Sequence, residues 1–215
     1  QHHSLCCHGI CIWLHLYKTK QKFICCDRCT YAHKFDFNYI DITYFLGGFM
    51  YHFQPAICYS GYRKGQSPRK QMYPTDQDVL EDLKHLQTFV KHIRMYDTSF
   101  HVKQVCKLIV KHDIDLKIML GVEPKGELDN PNCHFGGRYS KEEIEHNKRT
   151  NYQQLDEMIE LARTYKDIVF AVSVGNENTS DWHPNLMPEQ ALIDHVNYVR
   201  QNIEVPITFC EGQYF

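Results

Sequence analysis

The run Ile168–Asn178, IVFAVSVGNEN, constrains the fold more than any other stretch of this chain. A continuous apolar run of this length suits a strand covered on both faces, and such strands belong to parallel sheets flanked by helices. The run stops abruptly at Gly175-Asn176-Glu177. In folds of this kind function gathers at the C-terminal ends of the strands. There Gly175 is expected to let the backbone turn tightly. The Glu177 carboxyl, with the Asn176 amide beside it, can serve as a proton donor.

From about Pro55 onward the rest of the chain repeats the same grammar. Strands are expected at Pro55–Ser60, His92–Tyr96, Leu116–Gly121, Ile168–Gly175 and Pro206–Cys210, separated by helical periodicity. Thr75 with Asp78 three places on is a capping-box signature ahead of Val79, Leu83 and Leu86, and Ser140 with Glu143 is a second ahead of Leu155, Met158, Ile159 and Ala162. Val102, Val105, Cys106 and Ile109 mark one face of a helix over about His101–His112. Pro188 suits the first turn of a helix through Leu192, Val196 and Val199. The long Gly/Pro/Asn-rich stretch Glu123–Gly137 is expected to be a surface excursion beside a site.

Strands joined by helical crossovers call for parallel pairing with right-handed connections, in either an open doubly wound sheet or a (β/α)8 TIM barrel. The first strand is followed by Gly61-Tyr62-Arg63-Lys64-Gly65, which lacks the G-x-G-x-x-G spacing of a dinucleotide cradle. A barrel is therefore preferred, truncated here to about five βα units. In it Tyr59, Ser60, Tyr96, Asp97, Glu123, Asn176, Glu177 and Glu211 would converge on one mouth. A complete barrel takes about 250 residues, so the chain is expected to hold only its N-terminal part.

The 215 residues carry a formal net charge of −2 and 43% hydrophobic residues, the composition of a globular protein with one core. No basic patch or charge block marks a nucleic-acid or anionic-membrane partner. No apolar segment reaches the roughly 18 to 20 residues of a membrane span. Residues 1–49 differ from the rest. Cys6, Cys7, Cys11, Cys25, Cys26 and Cys29 crowd there among His, Tyr and Phe, without helical or strand periodicity and without the order of a secretory signal. Cys26, Cys29 and His33, with Cys7 and Cys11, admit a zinc site in an interaction module. The favoured reading is an over-extended reading frame, with the genuine domain running from Met50 to Phe215 and no metal or organic cofactor. The compartment is not declared by the sequence.

At Ala56–Pro68 (AICYSGYRKGQSP), His92–Asp97 (HIRMYD), Asp115–Glu123 (DLKIMLGVE), Asp167–Glu177 (DIVFAVSVGNE) and Pro206–Phe215 (PITFCEGQYF), the chain resembles glycoside hydrolase family 17. This is a family of (β/α)8 barrels that hydrolyse or remodel β-1,3-glucan. The five segments in order cover about Pro55–Phe215, and the resemblance looks closest to the microbial branch. It implies that Glu177 is the general acid/base, that Asn176 contacts the sugar at the reacting subsite, and that Tyr59 is an aromatic residue near the catalytic pair. It further implies a β-glucan or oligosaccharide substrate and an extracellular or cell-envelope location. Glu211 is implied to be part of the sugar-binding floor. The nucleophile implied by the family is a second Glu at the end of strand seven, which this chain does not reach.

Retaining hydrolysis needs two carboxyl groups roughly 5 to 5.5 Å apart, one to protonate the leaving oxygen and one to attack the anomeric carbon. Glu177 fills the first role only, so the chain alone is expected to be inactive. Each candidate also has a plainer reading. Glu177 suits an ordinary helix cap, Arg94 and Asp97 either an ion pair ordering their loop or contacts to substrate, and Tyr59, Tyr96 and Trp182 plain packing. Trp182, on the loop after the acid, also suits a subsite wall, because the C–H face of a pyranose is apolar. A glucosyltransferase that passes the glucosyl group to a sugar hydroxyl is the alternative within the same class. A non-catalytic glucan-binding barrel fragment is the alternative outside it.

Overall fold

A computed structural model describes residues 54–211, with side chains from residue 55 on, and in backbone alone the short strands β1 (Ile10–Trp13), β2 (Tyr44–Leu46) and β3 (Phe49–Tyr51). The regular part follows in the order β4 (Gln54–Cys58), α1 (Asp76–Leu86), β5 (His92–Arg94), α2 (Phe100–Lys111), β6 (Lys117–Gly121), α3 (Lys141–Thr164), β7 (Val169–Asn176), α4 (Glu189–Arg200) and β8 (Ile207–Cys210). Strands β4 to β8 are parallel and lie side by side in sequence order. A doubly wound sheet reverses its strand order at a switch point, and these five strands have no reversal. The protein is thus of the α/β class, with each helix a crossover between adjacent strands.

β1 pairs antiparallel with the outer edge of β4, and β2 pairs with β3 in a separate ribbon. A segment expected to lack strand character therefore contributes strands, and the expected boundary at residues 49 and 50 falls inside β3. The Cys/His cluster offered as a zinc site lies outside the described residues, except Cys11, which is described in backbone only.

The register explains why each strand reads as apolar on both sides. Ile57, Ile93, Ile118 and Val169 stand in one row across β4 to β7 and pack beneath the helices. Cys58, Arg94, Met119 and Ala171 form the adjacent row on the opposite face. The helix-side core is filled by Val79 and Leu83 of α1, Val105, Cys106 and Ile109 of α2, Leu155 and Met158 of α3, and Val199 of α4. Met119, Ala171 and Cys210 make a smaller cluster on the other face, with Phe170 against it.

Both capping boxes form. Thr75 Oγ1 accepts from the Asp78 N–H while Asp78 accepts from the Thr75 N–H, and Ser140 and Glu143 do the same for α3. Pro188 stands one place earlier than expected, as the N-cap of α4 with ψ of 140°, because its ring fixes φ without committing ψ to the helix. Among the described residues no helix is long and apolar enough to cross a membrane, α3 being long but strongly charged.

Candidate functional site

The strand ends meet where β5 and β7 stop. Arg94, the last residue of β5, is buried, and its Nη2 donates to Asn176 Oδ1 at 2.6 Å. A guanidinium only donates, so the atom it meets must be the amide oxygen. That leaves the Asn176 amide hydrogens pointing elsewhere, and among the described residues none accepts a hydrogen bond from them. The same guanidinium lies 4.6 Å from the centroid of the half-exposed Tyr96 ring. Arg94, Tyr96 and Asn176 thus form one patch, cationic and aromatic, beside Glu177.

The turn after β7 is built around an unusual backbone. Glu177 has φ of +56°, in the left-handed region that a residue with a side chain seldom occupies. Its N–H donates to the Cys210 carbonyl at 2.8 Å, and the Asn176 N–H donates to Asn178 Oδ1 at 2.7 Å. Asn178 is fully buried, and its amide donates to the carbonyls of Pro124 and Asn185. Gly175 is not the residue that turns. Its role is clearance, since a Cβ there would stand 2.3 Å from Phe209 Cε2.

Glu211, directly after β8, reaches the same turn. Its Oε2 accepts from the Thr179 N–H at 3.1 Å and from the Thr179 hydroxyl, and its Oε1 accepts from the Ser180 hydroxyl at 3.1 Å. Farther along, His183 Nδ1 accepts from the Asn185 N–H at 3.2 Å, so the neutral ring carries its proton on Nε2. Burial pushes the His183 pKa down, against the opposing pull of Glu123 and Glu211. Asn130 donates to the carbonyls of Asp181 and His183, and the Cys133 thiol donates to that of Trp182, which ties the loop after β6 to the loop after β7.

The other expected site residues sit apart from this patch or serve their own loops. Tyr59 is buried in the helix-side core, and its hydroxyl donates at 2.9 Å to Asp82, which Arg63 grips with two hydrogen bonds of 2.7 and 2.8 Å. Burial first, and then the Asp82 charge, raises the Tyr59 hydroxyl far above its usual range, so it stays protonated. Asp97 Oδ1 accepts from the Ser99 N–H at 2.9 Å and so shapes the entry to α2. Trp182 is half-exposed and meets the His183 ring edge to face at 5.6 Å between centroids.

Sequence reasoning did not single out Asn178, Thr179, Ser180, His183 or Asn130. The polar run after Asn176 marks a loop, but nothing in it announces which amide is buried.

No protein-family model and no curated protein matches this sequence. Among solved structures, the fold is similar to that of an endo-laminarinase from Formosa Hel1_33_131, with a TM-score of 0.51 and 23% sequence identity. The likeness covers 68% of this chain and 37% of that one, so the chain spans well under half the length of the protein it matches. At this identity the likeness is one of fold alone, a parallel α/β sheet.

Proposed function

We propose that residues 54–211 are part of a (β/α)8 barrel of the family 17 glycoside hydrolase type, acting on β-1,3-glucan with retention, with Glu177 as general acid/base. The observation that carries this reading is the strand-end arrangement. Arg94 from β5 and Asn176 from β7 meet at 2.6 Å beside a glutamate held at positive φ. A non-glycine residue in that conformation costs on the order of 1 to 2 kcal/mol, and such residues gather where a side chain must be aimed. The likeness in fold to an endo-laminarinase supports the substrate class.

In this reading the Glu177 carboxyl protonates the departing glycosidic oxygen, and the Asn176 amide hydrogens bond a hydroxyl of the sugar at the reacting subsite. Tyr96 and Trp182, both half-exposed, offer apolar faces to neighbouring pyranose rings. The second carboxyl of the retaining pair would come from a seventh barrel strand, which is not among β4 to β8. Glu211 is a poor substitute, because both of its oxygens already accept from Thr179 and Ser180.

The test is a nuclear magnetic resonance titration of the full chain with laminaritetraose. Saturable shifts centred on Arg94, Tyr96, Asn176 and Glu177 are expected. Shifts that do not saturate, or that gather elsewhere, would overturn the reading.

A further inference from the structure

We infer that Glu211 is a positioning residue that fixes the turn carrying Glu177, and is not a sugar contact. The inference rests on the proposed role of Glu177 as acid/base. It begins with the ladder between β7 and β8, whose register breaks between Ser173 and Asn176. Past that break the ladder keeps only one pair, Asn176 opposite Cys210, so regular pairing stops at the residue before Glu177. The bonds that take over come from two consecutive residues at the end of β8. The Cys210 carbonyl takes the Glu177 N–H, and the Glu211 carboxylate takes the Thr179 N–H, the Thr179 hydroxyl and the Ser180 hydroxyl.

The turn from Glu177 to Ser180 is consequently tied at its start and at its end to the same short stretch of backbone. A left-handed residue persists only where its surroundings over-determine it, and this double tether supplies that condition for Glu177. A carboxylate offers about four lone-pair sites. Three donors of the protein already occupy sites on Glu211. About one site is left, so the carboxylate is committed chiefly to the turn, and giving up Thr179 or Ser180 to a sugar would cost the turn its far anchor. Bonds to a charged acceptor are also the stronger kind, roughly twice as strong as neutral ones.

The full chain is compared with its Glu211→Ala and Glu211→Gln variants by amide hydrogen exchange at Thr179 and Glu177 and by the backbone coupling constant that reports φ at Glu177. Both variants remove the charge, so the difference between them reads the hydrogen bonds alone. Exchange at Thr179 is expected to be at least about tenfold faster in the Ala variant, with the Glu177 coupling leaving its left-handed value. The Gln variant, whose amide oxygen still accepts from the Thr179 N–H, is expected to recover much of the loss in both readouts. Exchange and coupling unchanged in both variants would overturn the inference, and a fall in laminaritetraose affinity alongside that result would assign Glu211 to the sugar instead. A wild-type chain that binds no laminaritetraose would sink the glucan reading by itself, while the exchange data still decide what Glu211 does.

Discussion

Replacing Gly175 by alanine probes how tightly the end of β7 is packed against β8. The added Cβ would stand 2.3 and 2.8 Å from two carbons of the Phe209 ring and 2.9 Å from Asn178 Oδ1. Carbon atoms in ordinary contact are about 3.5 to 4.0 Å apart, so the ring must retreat by more than about 1 Å or the strand must bend. The amide that accepts from Asn176 is pushed at the same time. Overpacking of this kind costs about 1 to 3 kcal/mol, against which the lower entropy of the unfolded alanine chain returns about 0.4 to 1. A net loss near 1.5 kcal/mol corresponds to a fall in Tm of about 3 to 6 °C for a domain of this size.

The assay is urea denaturation of the single variants Gly175→Ala and Phe209→Ala and of the double variant, read as a double-mutant cycle. With the ring gone, Gly175→Ala is expected to be nearly neutral, giving a coupling of about 1 kcal/mol or more. An equal cost in both backgrounds would refute the steric argument and return the glycine to a conformational role.

Other expectations follow from the same geometry. Thr75→Ala should cost about 1 kcal/mol, within the usual range for a lost N-cap, and Ser140→Ala a similar amount, both read from chemical denaturation. Asn176→Ala takes the acceptor away from a buried guanidinium, so a loss of about 1.5 to 3 kcal/mol is expected in the same assay. His101, His183 and His195 are all buried and all have their pKa pushed below the usual 6.5 by desolvation. The unfolded chain then binds more protons than the folded one, so stability is held above 6.5 and lost as the pH falls through the folded values. Glu127, raised by burial, acts in the opposite sense, but it is one group against three. The urea midpoint should therefore drop between pH 7 and pH 5, and a flat profile would count against the burial of these rings. Laminarin incubated with the chain should release no reducing sugar, since the nucleophile that the family resemblance assigns to strand seven is not among β4 to β8; turnover abolished by Glu177→Gln would contradict this.

Much of the architecture was legible because it depends on local chemistry. The apolar runs gave the strands to within two residues, and Thr75 with Asp78 and Ser140 with Glu143 declared the starts of two helices. The second strand is shorter than its apolar run suggests, ending at Arg94, although the Met95 N–H still reaches the Met119 carbonyl. What was not legible depends on approach between distant segments. Gly175 invites a turn in sequence, yet its function is room for Phe209, and the left-handed residue is Glu177. Tyr59 stands at a strand end, but Asp82 and Arg63 on the helix side hold its hydroxyl. Asn178 and Asn130 look like ordinary loop residues until two loops fold over each other. The pairing of Glu127 with His195, both buried and 3.9 Å apart, joins a loop to a helix that no spacing rule connects.

The measurement that bears most directly on the account is calorimetric titration of the full chain with laminaritetraose, for the wild type and for Asn176→Ala. Binding that is saturable in the wild type and weakened at least about tenfold in the variant is the expected result, the loss being that of one hydrogen bond to a bound sugar and of the Arg94 contact that orients it. No binding by the wild type, or equal binding by both, would contradict the claim that the ends of β5 and β7 form a glucan site.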